Sequence, residues 1–177
     1  MLQLKSYSIV VVTLATGSKL HCQLGLEQGH FDMVAIDEAG QAPEPEAVST
    51  VACLLDTASG GQLVLAGAPM QLGPIVHSTL GCQYGLDKSL LERLSQRELY
   101  QRQESGQFDQ RLLTKLVKNY RSHPAILELP NRLFYDNELQ AHADQMLSHS
   151  LADWEHLPTA GFPIIFHGVA GKDEREG

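Results

Sequence analysis

An apolar run that ends in two adjacent carboxylates constrains this chain more than any other feature. Residues 34–41 read Val-Ala-Ile-Asp-Glu-Ala-Gly-Gln, so Asp37 and Glu38 directly follow the run. Such a run is typical of a buried parallel strand, which delivers its last residues to the ligand-binding edge of an α/β sheet. Carboxylates there favour Mg²⁺ beside nucleotide phosphates, with Asp37 on the metal and Glu38 on the attacking water. A strand that simply ends in solvent fits the same residues.

Apolar runs and helical spacing together predict an α/β fold with a parallel sheet and flanking helices. Strands are expected at residues 7–13, 33–36, 63–66 and 163–169, and helices at residues 45–55, 89–94 and 124–134. Pro130 is expected to break or kink the last helix. Residues 101–110 are interpreted as a loop or domain boundary, and residues 141–158 as a surface segment.

Composition limits the classes of protein to consider. The 177 residues are 43% hydrophobic and carry a net charge of −8, which indicates a folded chain without a basic nucleic-acid-binding surface. The three cysteines form no CxxC pair and the eight histidines are scattered, which favours a reducing compartment and no zinc site. No apolar run approaches the roughly 20 residues of a membrane span, so no membrane partner is expected, and the N-terminus does not resemble a signal peptide.

Two further segments contain residues suited to nucleotide chemistry. Residues 65–74 read Leu-Ala-Gly-Ala-Pro-Met-Gln-Leu-Gly-Pro, where a strand ends, the chain turns and Gln71 follows. In a parallel sheet this turn shares an edge with Asp37, and the amide of Gln71 is suited to sensing a terminal phosphate. In residues 116–126, Tyr120 and Arg121 stand before a proline-initiated helix, suited to base stacking and phosphate neutralisation. Taken singly, a plain turn and a basic surface stretch are the better interpretations of these two segments.

The order of the segments adds information that none of them carries alone. IDEAGQAPEPE, LAGAPMQLGP and NYRSHPAIL resemble motifs II, III and IV of superfamily 1 helicases. The resemblance is closer to the Upf-like RNA helicases, and closest to their Armitage-like branch of the Moloney leukaemia virus helicase type. FPIIFHGVAGKDEREG at residues 162–177 is also similar to that branch, so the resemblance extends over nearly the whole chain.

The resemblance implies roles for individual residues in ATP hydrolysis coupled to RNA translocation or unwinding. Asp37 and Glu38 would hold Mg²⁺, with Glu38 also positioning water, and Gln71 would sense the γ-phosphate of ATP. Tyr120 would stack near the adenine, and Arg121 would act as an arginine finger from a second RecA-like domain. In addition, Thr13 and Thr16 would contact the RNA backbone, since hydroxyl groups can hold phosphates without net positive charge.

The sequence departs from the family pattern at two points. Ala68 stands where the family usually has aspartate, and no G-x-x-x-x-G-K-[S/T] loop occurs within the 177 residues. We therefore expect an incomplete P-loop NTPase fold. Residues 1–113 would be the later half of a first RecA-like domain, and residues 114–177 the start of a second. The fragment alone is expected to be inactive.

The branch resemblance also implies a cellular setting. The expected partners are single-stranded or partly duplex RNA and the proteins of ribonucleoprotein or silencing complexes. The expected location is the cytoplasm, including ribonucleoprotein granules, with a role in RNA silencing or decay. A catalytically silent RNA- or protein-interaction module is the alternative, and an unrelated Mg²⁺-dependent hydrolase is a remote third hypothesis, because it gives Gln71 and Arg121 no role.

Overall fold

A computed structural model describes residues 4–172 of the chain. The chain divides into two compact units between Thr114 and Lys115, and each unit is described by itself. No helix among residues 4–172 is long and apolar enough to cross a bilayer.

The first unit alternates helices with two short strands. Its elements are a 3₁₀ turn (Leu4–Ser6), α1 (Leu14–Cys22), β1 (Met33–Ile36), α2 (Glu44–Leu54), β2 (Gln62–Leu65), α3 (Thr79–Gln83), α4 (Leu90–Ser95) and a second 3₁₀ turn (Glu98–Tyr100). The strands pair in parallel, from Met33 opposite Gln62 to Ile36 opposite Leu65. The strands predicted at residues 33–36 and 63–66 are therefore confirmed, and so is their parallel pairing.

The core of the first unit joins this sheet to its helices. One buried cluster comprises Ile36, Ala39, Ala47 and Leu90, and thus connects β1 with α2 and α4. The start of α4 is fixed by Ser89, whose Oγ accepts a hydrogen bond from the Glu92 amide at 3.0 Å, as expected of an N-cap.

A glycine allows α1 and α2 to approach closely. A Cβ atom added to Gly17 would lie 2.6 Å from Thr50 Cγ2, which is closer than Cβ atoms normally come to other heavy atoms. Beside it, the buried Thr50 hydroxyl donates to the Leu14 carbonyl at 2.8 Å and joins the two helices. A second buried cluster, Leu20, Leu26 and Leu54, continues this interface.

The second unit is built on another parallel pair. It contains β3 (Lys118–Asn119), α5 (Pro124–Phe134), β4 (Gln140–Ala141) and α6 (Gln145–Ser148). Lys118 pairs with Gln140, and Asn119 with Ala141. The Asn131 side chain binds the backbone of Leu139 twice: its Oδ1 accepts from the Leu139 amide at 2.8 Å, and its Nδ2 donates to the Leu139 carbonyl at 3.1 Å. These bonds fix the entry into β4.

Three sequence predictions about the fold are wrong. Residues 7–13 and 163–169 form no strands, although both runs are β-branched and apolar. A strand needs a hydrogen-bonded neighbour as well as a suitable composition. Side chains in both runs are exposed, for example Val11 at 90% and Phe166 at 98%, so they are not packed against a neighbouring element. The third is the break expected at Pro130, because α5 continues through this residue from Pro124 to Phe134; a kink there stays a prediction.

Candidate active site

The carboxyl ends of β1 and β2 bring two of the predicted segments together. The Ala39 amide donates to the Ala66 carbonyl at 2.8 Å, one residue beyond the end of β2. A Cβ on Gly40 would lie 3.0 Å from the Ala68 carbonyl oxygen, and a Cβ on Gly67 would lie 3.0 Å from the Gly40 nitrogen. The loop after β1 and the turn after β2 therefore pack backbone against backbone. We call this arrangement the paired loops, residues 37–41 and 66–71.

The two carboxylates lie on the first of these loops. Both side chains are exposed, and Asp37 Oδ1 accepts a hydrogen bond from the Glu38 amide at 3.0 Å. Glu38 has a φ of 50°, in the left-handed region that is uncommon for residues other than glycine. The Glu38 carboxylate accepts from Gln41 Nε2 at 3.4 Å, and its backbone carbonyl accepts from the Gln41 amide at 2.9 Å. A strained backbone in a tight turn is typical of functional loops.

The donor set fits Mg²⁺ with additional ligands from outside the chain. Mg²⁺ in nucleotide sites takes one or two protein carboxylates and keeps water and phosphate oxygens as its other ligands. Asp37 and Glu38 supply adjacent exposed carboxylates of that kind. Among residues 4–172, no cluster of three or more histidine, cysteine or acidic side chains could enclose a metal. The residues thus suit a nucleotide-bound magnesium ion and not a closed structural metal site.

Gln71 lies on the second of the paired loops. Its amide donates to the Ala68 carbonyl at 3.1 Å and closes the turn, and its side chain is exposed. At position 68 the structure has only a methyl group beside the carboxylate loop. The edge therefore carries two carboxylates suited to a metal, Asp37 and Glu38, and two exposed carboxamides, Gln41 and Gln71.

Tyr120 and Arg121 lie in the second unit, directly after β3. The Tyr120 ring is 70% exposed and lies 5.9 Å from the His142 ring, measured between centroids. Arg121 is exposed and forms no ion pair within the described part of the chain. Both groups are accessible to a ligand.

Thr13 and Thr16 lie together at the start of α1. Thr13 Oγ1 accepts from the Thr16 amide at 3.3 Å and donates to Thr16 Oγ1 at 3.0 Å. Both are exposed, although Thr13 also serves as the N-cap of the helix. The nearby Gly17-Ser-Lys sequence belongs to α1 and forms no phosphate-binding loop.

Sequence reasoning missed two residues that support Tyr120 and Arg121. Asn119 forms a turn with its side chain, and an asparagine just before an exposed pair is a recognisable signal for such a turn. His142 is brought beside Tyr120 by the parallel pairing of β3 and β4. No local pattern predicts that contact, because the two residues are far apart in sequence.

Comparison with known proteins shows the family to which the chain belongs. Two family models, both described as AAA domain, match residues 2–79 and 86–177. The chain is 59% identical over 174 residues to the putative helicase mov-10-B.1 of Danio rerio, which covers 98% of this chain and 17% of the relative. The chain belongs to the AAA-domain helicases of the Upf-like superfamily 1 group.

Other relatives come from the same group of helicases. The RNA helicase Mov10l1 of Homo sapiens is 51% identical over 173 residues, covering 95% of this chain and 14% of the relative. The probable RNA helicase armi of Drosophila melanogaster is 42% identical over 135 residues, covering 72% and 11%. The helicase family implies the P-loop NTPase fold, with which the small parallel sheets and their helices agree. The chain spans less than a fifth of the length of each of these relatives.

Proposed function

We propose that this chain is part of an ATP-dependent RNA helicase that couples ATP hydrolysis to RNA translocation or unwinding. The first unit is the later half of a first RecA-like domain, and the second unit is the start of a second one. The paired loops are the observation that carries the proposal, because they gather two carboxylates and a glutamine at one sheet edge. A magnesium-nucleotide site needs those groups at such an edge.

In the proposed reaction, the paired loops act on the terminal phosphate of ATP. Asp37 and Glu38 hold Mg²⁺, which neutralises phosphate charge when it is bound. Glu38 orients the attacking water and accepts its proton, since a carboxylate can serve as a general base. Gln71 donates a hydrogen bond from its side-chain carboxamide to an oxygen of the terminal phosphate and so distinguishes ATP from ADP.

The second unit contributes one side chain for the adenine ring of ATP and one for the negative charge of its phosphates. Tyr120 stacks near the adenine through its exposed ring. Arg121 neutralises charge that develops on the phosphate during transfer, which its lack of an ion pair in the described residues supports. Ala68 removes a carboxylate that the family pattern has, and we propose that this weakens the coupling between ATP and RNA.

RNA binding is proposed for the start of α1. The hydroxyl groups of Thr13 and Thr16 are exposed and mutually hydrogen-bonded, an arrangement that suits contact with phosphate and ribose oxygens. The names of the relatives, which include RNA helicases, support RNA as the substrate. We extend the proposal to RNA silencing or decay in cytoplasmic ribonucleoprotein granules, with the proteins of those complexes as partners.

The proposal is tested by RNA-stimulated ATP hydrolysis in the longer helicase polypeptide that carries these residues. Glu38→Gln should lower kcat by roughly 10²- to 10⁴-fold, because it removes the general base. Glu46→Gln is the matched control, since Glu46 is an exposed glutamate at the start of α2 and should leave kcat unchanged. Wild-type turnover in the Glu38 variant would contradict the proposal.

The 177-residue chain alone should show no ATP hydrolysis. It carries no G-x-x-x-x-G-K-[S/T] loop, which supplies the backbone amides and lysine that hold the phosphates. RNA-stimulated turnover by the purified 177-residue chain would overturn this prediction.

A catalytically silent interaction module is the second candidate function. The exposed hydroxyl pair at Thr13 and Thr16 favours it, because that pair needs no nucleotide to meet RNA. RNA retention that ATP does not change, and that is lost in a Thr13→Ala, Thr16→Ala double variant, would support the module over the helicase.

A further inference from the structure

The link between β3 and α5 is fixed by an asparagine side chain. Asn119 Oδ1 accepts two hydrogen bonds, from the Arg121 amide at 3.0 Å and from the Ser122 amide at 2.8 Å. This is an Asx turn, in which the side chain imitates a backbone carbonyl and forces the chain to change direction. The turn encloses Tyr120 and Arg121 and sets the backbone that carries their side chains.

Asn119 is itself held on its backbone side. It pairs with Ala141 in the β3–β4 sheet, and its carbonyl accepts from the His142 amide at 2.7 Å. The His142 ring then lies beside the ring of Tyr120. The turn is therefore anchored to the sheet at Asn119, while its two exposed side chains extend from it.

The far end of the same link is fixed independently. Nδ1 of the buried His123 accepts from the Ala125 amide at 3.1 Å and caps α5. Only Tyr120, Arg121 and Ser122 separate the two side-chain acceptors. Loss of the acceptor at Asn119 therefore leaves the Arg121 and Ser122 amides without these hydrogen bonds, while the helix cap at His123 remains in place.

We propose that Asn119 is a positioning residue that fixes the direction in which Tyr120 and Arg121 leave β3. This inference rests on the proposed function, in which these two side chains contact ATP. Asn119 touches no substrate in this account and acts through the turn alone. An arginine that must meet a phosphate gains from a fixed backbone, since a small misplacement reduces the rate strongly.

The first experiment tests the turn in the 177-residue chain by amide hydrogen exchange measured with NMR. Asn119→Ala should speed exchange at Arg121 and Ser122 by about tenfold, the size expected for the loss of one side-chain hydrogen bond at each amide. Asn119→Asp keeps an acceptor oxygen and should retain the wild-type rates. Unchanged exchange in Asn119→Ala would overturn the inference.

The second experiment measures RNA-stimulated ATP hydrolysis in the longer helicase. Asn119→Ala should lower kcat by about tenfold, and Asn119→Asp should restore it to within about twofold of wild type. Asp144→Ala is the control for stability, because it also removes a side-chain acceptor of a backbone amide in this unit, at the start of α6 and outside the β3–β4 pairing. Its kcat should change far less at a similar loss in denaturation midpoint. Equal losses of kcat in the two alanine variants would overturn the inference.

A combination with Arg121 separates the inference from the function it rests on. Arg121→Ala alone should lower kcat on the order of 10³-fold, and adding Asn119→Ala should cost little more, because Asn119 acts through Arg121. If Arg121→Ala impairs turnover and Asn119→Ala does not, the positioning role alone is overturned. Wild-type turnover in Arg121→Ala would overturn the role proposed for Arg121, and the positioning role with it.

Discussion

The two sheet edges of this chain hold their exposed polar side chains by different means. At the paired loops, backbone packs on backbone, and glycines at positions 40 and 67 leave the room for that contact. After β3, side chains fix the chain, with Asn119 at one end of the link and His123 at the other. The first edge therefore depends on glycines without a Cβ atom, and the second on side-chain hydrogen-bond acceptors.

This difference predicts opposite sensitivities to mutation. Adding a methyl group should damage the paired loops, because their backbones cannot separate without breaking the edge. Removing a polar group should damage the turn after β3, because no backbone contact replaces the lost acceptor. Four stability measurements follow in order of decreasing expected effect. The first two address the two edges, and the other two extend the contrast to contacts between helices of the first unit.

The largest effect is expected for Gly40→Ala. The new Cβ would meet the Ala68 carbonyl oxygen at 3.0 Å, so the turn after β2 must move. The free energy of unfolding should fall by about 2–3 kcal/mol, as overpacking typically costs. Chemical denaturation measures it, and Gly168→Ala, where no atom lies within 4 Å of the added group, is the control. Equal stability of the two variants would remove the contrast between the edges.

His123→Ala should have the next largest effect. The substitution removes the cap of α5 and the contact between the His123 and His149 rings, whose centroids lie 4.2 Å apart. A loss of about 2 kcal/mol is expected from the cap and the buried ring together. His123→Asn keeps a capping oxygen and should recover part of the loss in the same denaturation experiment. Identical losses in the two variants would show that the cap contributes nothing.

A smaller effect is expected for Gly17→Ala. The added Cβ would lie 2.6 Å from Thr50 Cγ2, while alanine's better helix propensity offsets part of that clash. A net loss of about 1 kcal/mol should follow. Thr50→Ser removes the clashing methyl and keeps the hydroxyl that donates to Leu14, so the double variant should regain the stability of Thr50→Ser alone. If the double variant stays less stable than Thr50→Ser, the loss of stability does not come from the contact with Thr50 Cγ2.

The smallest effect concerns the ion pair between Glu44 and Arg93. Two hydrogen bonds of 2.6 Å from the Arg93 guanidinium, together with its charge, lower the pKa of Glu44 below the ordinary value of 4.5. A lowered pKa in the folded state means that the pair stabilises above the unfolded-state pKa, and that this contribution is lost as the pH falls through the folded-state value. Denaturation midpoints of the wild type should therefore converge on those of Glu44→Gln in acid. A difference between the two midpoints that persists in acid would contradict the stabilising role of the Glu44–Arg93 ion pair.

The sequence predicted the paired loops better than the two outer apolar runs, for a physical reason. An apolar run followed by a polar turn determines where a strand ends, and parallel pairing then puts two such ends at one edge. The runs at residues 7–13 and 163–169 have the same composition but pair with no strand among residues 4–172, so composition alone misled. In the second unit, the contact between Tyr120 and His142 depends on strand pairing between distant residues, which no local pattern contains.

If the two paired loops form one hydrolytic site, as we propose, a double-mutant cycle in the longer helicase should show strong coupling between them. The kcat of RNA-stimulated ATP hydrolysis is measured for Glu38→Gln, for Gln71→Ala and for both together. Residues that act as one unit show strongly non-additive losses. We predict that the double variant is scarcely slower than Glu38→Gln alone. Losses that multiply, as for two independent sites, would contradict it.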